Sequence, residues 1–279
     1  MISVALALAG AVIYGGSDFL GGLAARAMSS IRVTALNSIV GFSVLLVGSL
    51  VIPTRWSWDA LLWGGLSGLA GAVALVLFYA CLALGPMSIL SPIMGLVSAV
   101  VPIIVGFARG ERLSVAGDIG LVAGLIAVVL ICFVPGARVV RPSLRGVVMG
   151  VGAGLAIGTY LVFIDLSPSN SGPVPLVVCF AVTGLAMGVA LLIRRTATTR
   201  PPRRSVVYAL LCGLTDGVAA FLFLLALRAG DLSVVSVINA LTPAGTVVLA
   251  AILLRERIAV VQWAGLAVAL VAAGLLALA

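Results

Sequence analysis

The chain of 279 residues has no lysine and no histidine, and only 9% of its residues are charged. Without histidine, metal sites of the HExxH type are excluded, and carboxylates become the side chains best suited to exchange protons near neutral pH. So little charge excludes an ordinary water-soluble domain, in which about 25% of residues are charged. Cysteine is sparse: Cys81, Cys132, Cys179 and Cys212 lie singly in apolar segments without ligand or pair spacing. They read as small packing residues, and no metal site is expected. No glycine-rich phosphate loop is present, so neither ATP nor any other cofactor is expected.

Apolar residues make up 63% of the sequence, with a mean hydropathy of +1.35. One crossing of a bilayer takes roughly 20 apolar residues, so almost the whole length reads as membrane, and the lipid bilayer is the first partner implied. All sixteen cations are arginines in short breaks between apolar runs. There they read as determinants of topology and not as a nucleic-acid surface. Trp56, Trp58, Trp63 and Trp263 fall near span ends, where indoles favour the interface. The first arginine, Arg26, follows the first apolar run, so this run is expected to stay as a span and not to be removed as a signal peptide.

Charges, prolines and loop residues divide the chain into ten expected spans: 2–24, 33–52, 60–84, 88–108, 114–134, 146–165, 174–193, 206–228, 232–254 and 258–279. The strand alternation of a membrane barrel is absent, so the fold class expected is an all-α integral membrane bundle. The sequence also repeats. Glu111-Arg112-Leu113 recurs as Glu256-Arg257-Ile258, an offset of 145, which also pairs Ser88 with Ser233, Ser91 with Ser236, Gly68 with Gly213, Phe78 with Phe223 and Gly120 with Gly265. About a third of positions from Leu66 to Leu121 are identical at that offset. Two five-span units follow, 1–135 and 144–279. Five is odd, so the second enters the membrane from the opposite side. Inverted repeats of this kind are built around a midplane site in secondary transporters, often beside discontinuous helices. Prolines mark candidate breaks in corresponding spans: Pro92 frees the carbonyl of Ser88, Pro102 that of Ser98, and Pro243 that of Asn239. Ser91 and Ser98 accompany one break, Asn239 and Thr242 the other. A packing kink is the plainer reading of any single proline, but matched placement favours a site.

The span carrying Tyr14-Gly15-Gly16-Ser17-Asp18-Phe19, the tandem units, and the closing signatures Gly110-Glu111-Arg112-Leu113 and Arg255-Glu256-Arg257-Ile258 together resemble the drug/metabolite transporter superfamily, in its branch of two EamA domains. The resemblance covers the full length. Ser98 departs from it, standing where the first repeat usually has the proline that Pro243 supplies in the second, and a basic C-terminal tail is lacking. It implies movement of a small organic solute across the cell membrane, commonly outward and without ATP.

Of eight carboxylates, Asp59, Asp118 and Asp231 sit at span edges near Arg55, Arg112 and Arg228, and Glu111 and Glu256 adjoin arginines. These read as surface pairs. Asp165 ends the sixth span, as a cap or facing water. Asp18 and Asp216 remain, both within hydrocarbon depth, where a bare carboxylate must face the bundle interior. Helical spacing puts Tyr14, Ser17, Asp18 and Gly21 on one face, and Gly213-Leu-Thr-Asp216-Gly217 gives Asp216 a close-packing GxxxG step. The expectation is that both acids line a central cavity and at least one exchanges a proton during transport; the alternative is a fixed hydrogen bond from a neutral acid. Asn37, Tyr79 and Tyr160 are further candidate solute contacts, or interhelical ties. Arg228 could meet an anion, although Asp231 offers a nearer explanation.

Loops after odd-numbered spans hold twelve arginines and the other side four, which places both termini outside and the 194–204 loop in the cytoplasm. The family resemblance implies the reverse. A channel or lipid-translocating protein shares most of these features. An intramembrane aspartyl protease does not, because Gly-x-Gly-Asp is missing at both acids. A homodimer is compatible with the sequence but not implied by it.

Overall fold

The computed structural model of the chain describes residues 1–25, 27–84, 87–133, 143–194, 201–253 and 259–278, and these are helical throughout apart from short connections. The helices are α1 (Ile2–Ala25), α2 (Ser30–Val51), α3 (Trp58–Leu84), α4 (Met87–Ala108), α5 (Val115–Cys132), α6 (Leu144–Asp165), α7 (Val174–Arg194), α8 (Arg203–Ala229), α9 (Leu232–Ala240), α10 (Thr242–Leu253) and α11 (Val260–Leu276). Serine caps set two starts: Ser114 Oγ accepts from Gly117 N at 3.2 Å, and Ser143 Oγ from Gly146 N at 3.1 Å. Eight spans are long and apolar enough to cross a membrane, with Leu232–Leu249 running through α9 into α10; Ile93–Ala108 and Val260–Leu276 are shorter apolar helices. Together they make ten spans. Ile2, Leu50, Trp58, Leu192 and Leu270 are among many large apolar side chains on the outside, a surface suited to lipid. Trp56 and Trp58 are exposed towards one end of the bundle and Trp263 towards the other.

The packing is two-fold. α1 lies along α8 as α6 lies along α3, α3 meets α7 as α8 meets α2, and α4 meets α6 as α9 and α10 meet α1. The pairs α2–α7, α5–α11 and α4–α9 exchange with themselves and so lie on the axis. Atomic contacts follow the same exchange. A Cβ on Gly68 would lie 2.7 Å from the Cys179 oxygen and 2.8 Å from Val182 Cβ; one on Gly213 would lie 2.6 Å from the Asn37 oxygen and 2.7 Å from Val40 Cβ. On the other seam, a Cβ on Gly120 would meet Leu275 and Leu276, and one on Gly265 would meet Leu130 and Ile131. Each five-helix repeat has an odd number of crossings, so the axis lies in the membrane plane and the repeats are inverted. Small residues permit this closeness where no hydrophobic drive separates helix from lipid.

One expectation fails. The matched breaks are not matched: α4 runs unbroken through Pro92 and Pro102, whereas the second repeat's span stops at Ala240 and restarts at Thr242. Ser98 occupies the position of Pro243 and keeps its amide, so the first helix continues. Pro102 is fully buried, and the Ser98 carbonyl it frees packs on Gly158 of α6, where a Cβ would lie 2.7 Å away. In the second repeat Thr242 Oγ1 donates to the Asn239 carbonyl at 2.6 Å and closes the interruption. The signature Arg255-Glu256-Arg257-Ile258 lies outside the described residues.

Candidate functional site

The GxxxG step on α8 brings its backbone against α2, and this approach places two polar side chains in register. Asn37 Nδ2 donates to Asp216 Oδ2 at 2.7 Å, with Asp216 only 8% exposed. Behind Asn37, the Cys212 thiol approaches its Oδ1 at 3.6 Å, and Ser17 Oγ donates to the Cys212 carbonyl at 3.0 Å. Thus α1, α2 and α8 are tied at one depth. Asp216 lies about 20 Å along α8 from Arg203, at 1.5 Å per residue.

The Tyr14 hydroxyl lies close to the Asp216 carboxylate and to the Tyr160 hydroxyl on α6, and its ring centroid lies 5.7 Å from that of Phe223. Asp18, one turn on from Tyr14, is within electrostatic range of Asp216. Asp18 is exposed, whereas Asp216 is buried. Gly22, a further turn on, is exposed too, and nothing lies within 4 Å of where its Cβ would be. Tyr14, Asp18 and Gly22 share one helical face, and Tyr14 points inward from it.

Four of the expected residues therefore gather, Tyr14, Asn37, Tyr160 and Asp216, from four helices and both repeats, with Asp18 within electrostatic range of Asp216. Three others are occupied or peripheral. Ser98 is 4% exposed and its hydroxyl donates to the Gly95 carbonyl at 2.8 Å, so it serves its own helix. Thr242 is spent on the interruption, and Asn239 sits half-buried at the end of α9. Tyr79 and Ser91 belong to α3 and α4, but their side chains lie outside the described residues. The sequence reading missed Cys179 on α7, whose thiol neighbours Ser67 and Thr183 and lies within electrostatic range of Tyr14, Tyr160 and Asp216.

The end of the bundle bearing both termini corrects three readings. Arg228 does not serve Asp231 in the expected way: its Nη2 donates to the Gly172 carbonyl at 2.8 Å, Ser171 Oγ at 3.1 Å and the Pro168 carbonyl at 3.3 Å. Asp165 forms an ion pair with Arg109 across the repeats. Glu111 is no surface partner of Arg112; its carboxylate accepts from Leu232 N at 2.7 Å, from Ser233 N at 3.2 Å and from the Ser233 hydroxyl, capping α9. Hydrogen bonds to a charged group contribute about 1.5–3 kcal/mol each, more than the ~0–1 kcal/mol of an exposed ion pair. A signal existed, since Glu111 and Ser233 both belong to the set repeated at 145.

An inverted pair of five-helix units around a polar interior defines a polytopic membrane protein of transporter architecture. The sequence pattern of the EamA-like transporter family matches residues 1–133 and again 144–278, and the chain belongs to that family. Its members are transporters and not enzymes. A solved structure described only as the crystal structure of a protein superposes with a TM-score of 0.81 at 18% identity, covering 99% of this chain and 98% of that one. At that identity the likeness shows the fold alone. No curated protein matches the chain in sequence.

Proposed function

We propose that the protein is a secondary carrier that exports a small organic solute across the cell membrane by alternating access, with Asp18 and Asp216 binding solute and exchanging protons. The observation that carries this reading is the gathering of Tyr14, Asn37, Tyr160 and Asp216 between the repeats, with Asp18 exposed one turn from Tyr14; the space beside Asp18 is taken as the carrier's hollow. A carboxyl within hydrocarbon depth needs a partner, and a bound solute or a proton can supply it. The pair is served on one side by a donating amide and left accessible on the other, the arrangement needed for a group that must be held and yet exchange. The drive is a solute or proton gradient.

A carrier saturates and a pore does not. In proteoliposomes, labelled solute should exchange with excess unlabelled solute inside and reach a plateau with concentration; flux linear in concentration would favour a channel. The twelve-to-four division of arginines places both termini outside. In a bacterial host, a C-terminal alkaline phosphatase fusion should accordingly be active and a C-terminal green fluorescent protein fusion dark, and the opposite result would invert the assignment.

A further inference from the structure

α9 is nine residues long, almost wholly buried, and joined to α10 only through the interruption at Leu241. Its own N-cap residue, Asp231, makes no side-chain capping bond. The cap comes instead from Glu111, in the α4–α5 connection of the other repeat. The nearest acid in sequence would be the economical choice for a permanent cap. A cap supplied by the opposite repeat is satisfied only while the two repeats are together at that end, which ties a helix terminus to the state of the carrier. Gly106 makes room for the arrangement, since a Cβ there would collide with both Glu111 and Ser233. Beside it the Arg109–Asp165 pair also crosses the repeats.

We propose that Glu111 is a positioning residue for transport: its cap on α9 is the clasp that closes the hollow at the terminus-bearing end, and the clasp must open for solute to pass there. Cys179 reports on it. It lies about 8 Å from the start of α7 at 1.5 Å per residue, on the same end, is 4% exposed, and is within electrostatic range of Tyr160 and Asp216. This inference rests on the alternating-access reading, but its test does not need solute.

The full-length protein is treated in proteoliposomes with a charged, membrane-impermeant methanethiosulfonate, and modification of each cysteine is quantified by peptide mass spectrometry. Glu111→Ala should raise the rate at Cys179 at least tenfold. Glu111→Gln, which keeps an accepting oxygen, should give a smaller rise, as should Ser233→Ala, which leaves both amide donors. Cys132, buried on the α5–α11 seam, is the control and should not change. An unaltered Cys179 rate in Glu111→Ala overturns the proposal, and so does a parallel rise at Cys132, which would mark general loosening. Should Cys179 respond as expected while no solute exchange is found in any variant, Glu111 does hold the repeats together at this end, but the carrier reading fails and takes the clasp's role in transport with it.

Discussion

Asp216→Asn should leave solute-for-solute exchange measurable but reduce accumulation driven by a pH gradient at least tenfold. The substitution is nearly isosteric and retains an oxygen able to accept from Asn37 Nδ2, now 2.7 Å from the carboxylate, so the tie between α2 and α8 survives. What it removes is the exchangeable proton. A group that carries no proton cannot couple solute movement to one, whereas a site that still binds solute can still shuttle it between sides. Asp18→Asn should have a related but smaller effect if the more accessible Asp18 serves to relay protons to Asp216. Unchanged accumulation and an unchanged pH profile in both variants would remove the proton role. Loss of exchange as well as accumulation would place Asp216 in solute binding first.

Gly213→Ala should lower both stability and flux, although it adds a single methyl group. The new Cβ would stand 2.6 Å from the Asn37 oxygen, 3.1 Å from Asn37 Cα and 2.7 Å from Val40 Cβ. Two of these are backbone atoms, so no rotamer change relieves the clash and α2 must retreat as a body. Overpacking of this kind costs about 1–3 kcal/mol. Retreat of α2 also carries Asn37 away from Asp216, so the functional loss should exceed that expected from the fraction unfolded. Gly48→Ala, on α2, is the control, because nothing lies within 4 Å of its Cβ position. Its melting temperature in detergent should equal or exceed that of the parent. A Gly213→Ala protein that melts and transports like the parent would show that the α2–α8 contact is slack.

The architecture was legible because a bilayer imposes a one-dimensional code. Span lengths, the offset of 145 and the odd number of crossings sufficed to expect two inverted halves, and Asp18 and Asp216 stood out by cost alone. Contacts across the two halves were less legible. Asn37 was identified as a polar residue at useful depth, but its partner on α8 depends on the GxxxG register, which sequence spacing along a single helix does not supply. Glu111 was misread because an arginine adjoins it in sequence, while its actual donors come from the other repeat, more than a hundred residues away. The reading of the prolines erred differently: removal of one amide frees a carbonyl, but whether the helix then breaks is decided by what packs there. Gly158 of α6 receives the Ser98 carbonyl and the first helix stays whole.

The interruption at Leu241 belongs to one repeat only. A protein assembled from two near-copies would be expected to run its forward and return strokes alike, yet here one copy has a jointed rod where its counterpart has a stiff one. Swinging a nine-residue lever and tilting a whole span are different mechanical tasks with different barriers, so under the proposed alternating-access cycle the two legs are expected to differ in rate.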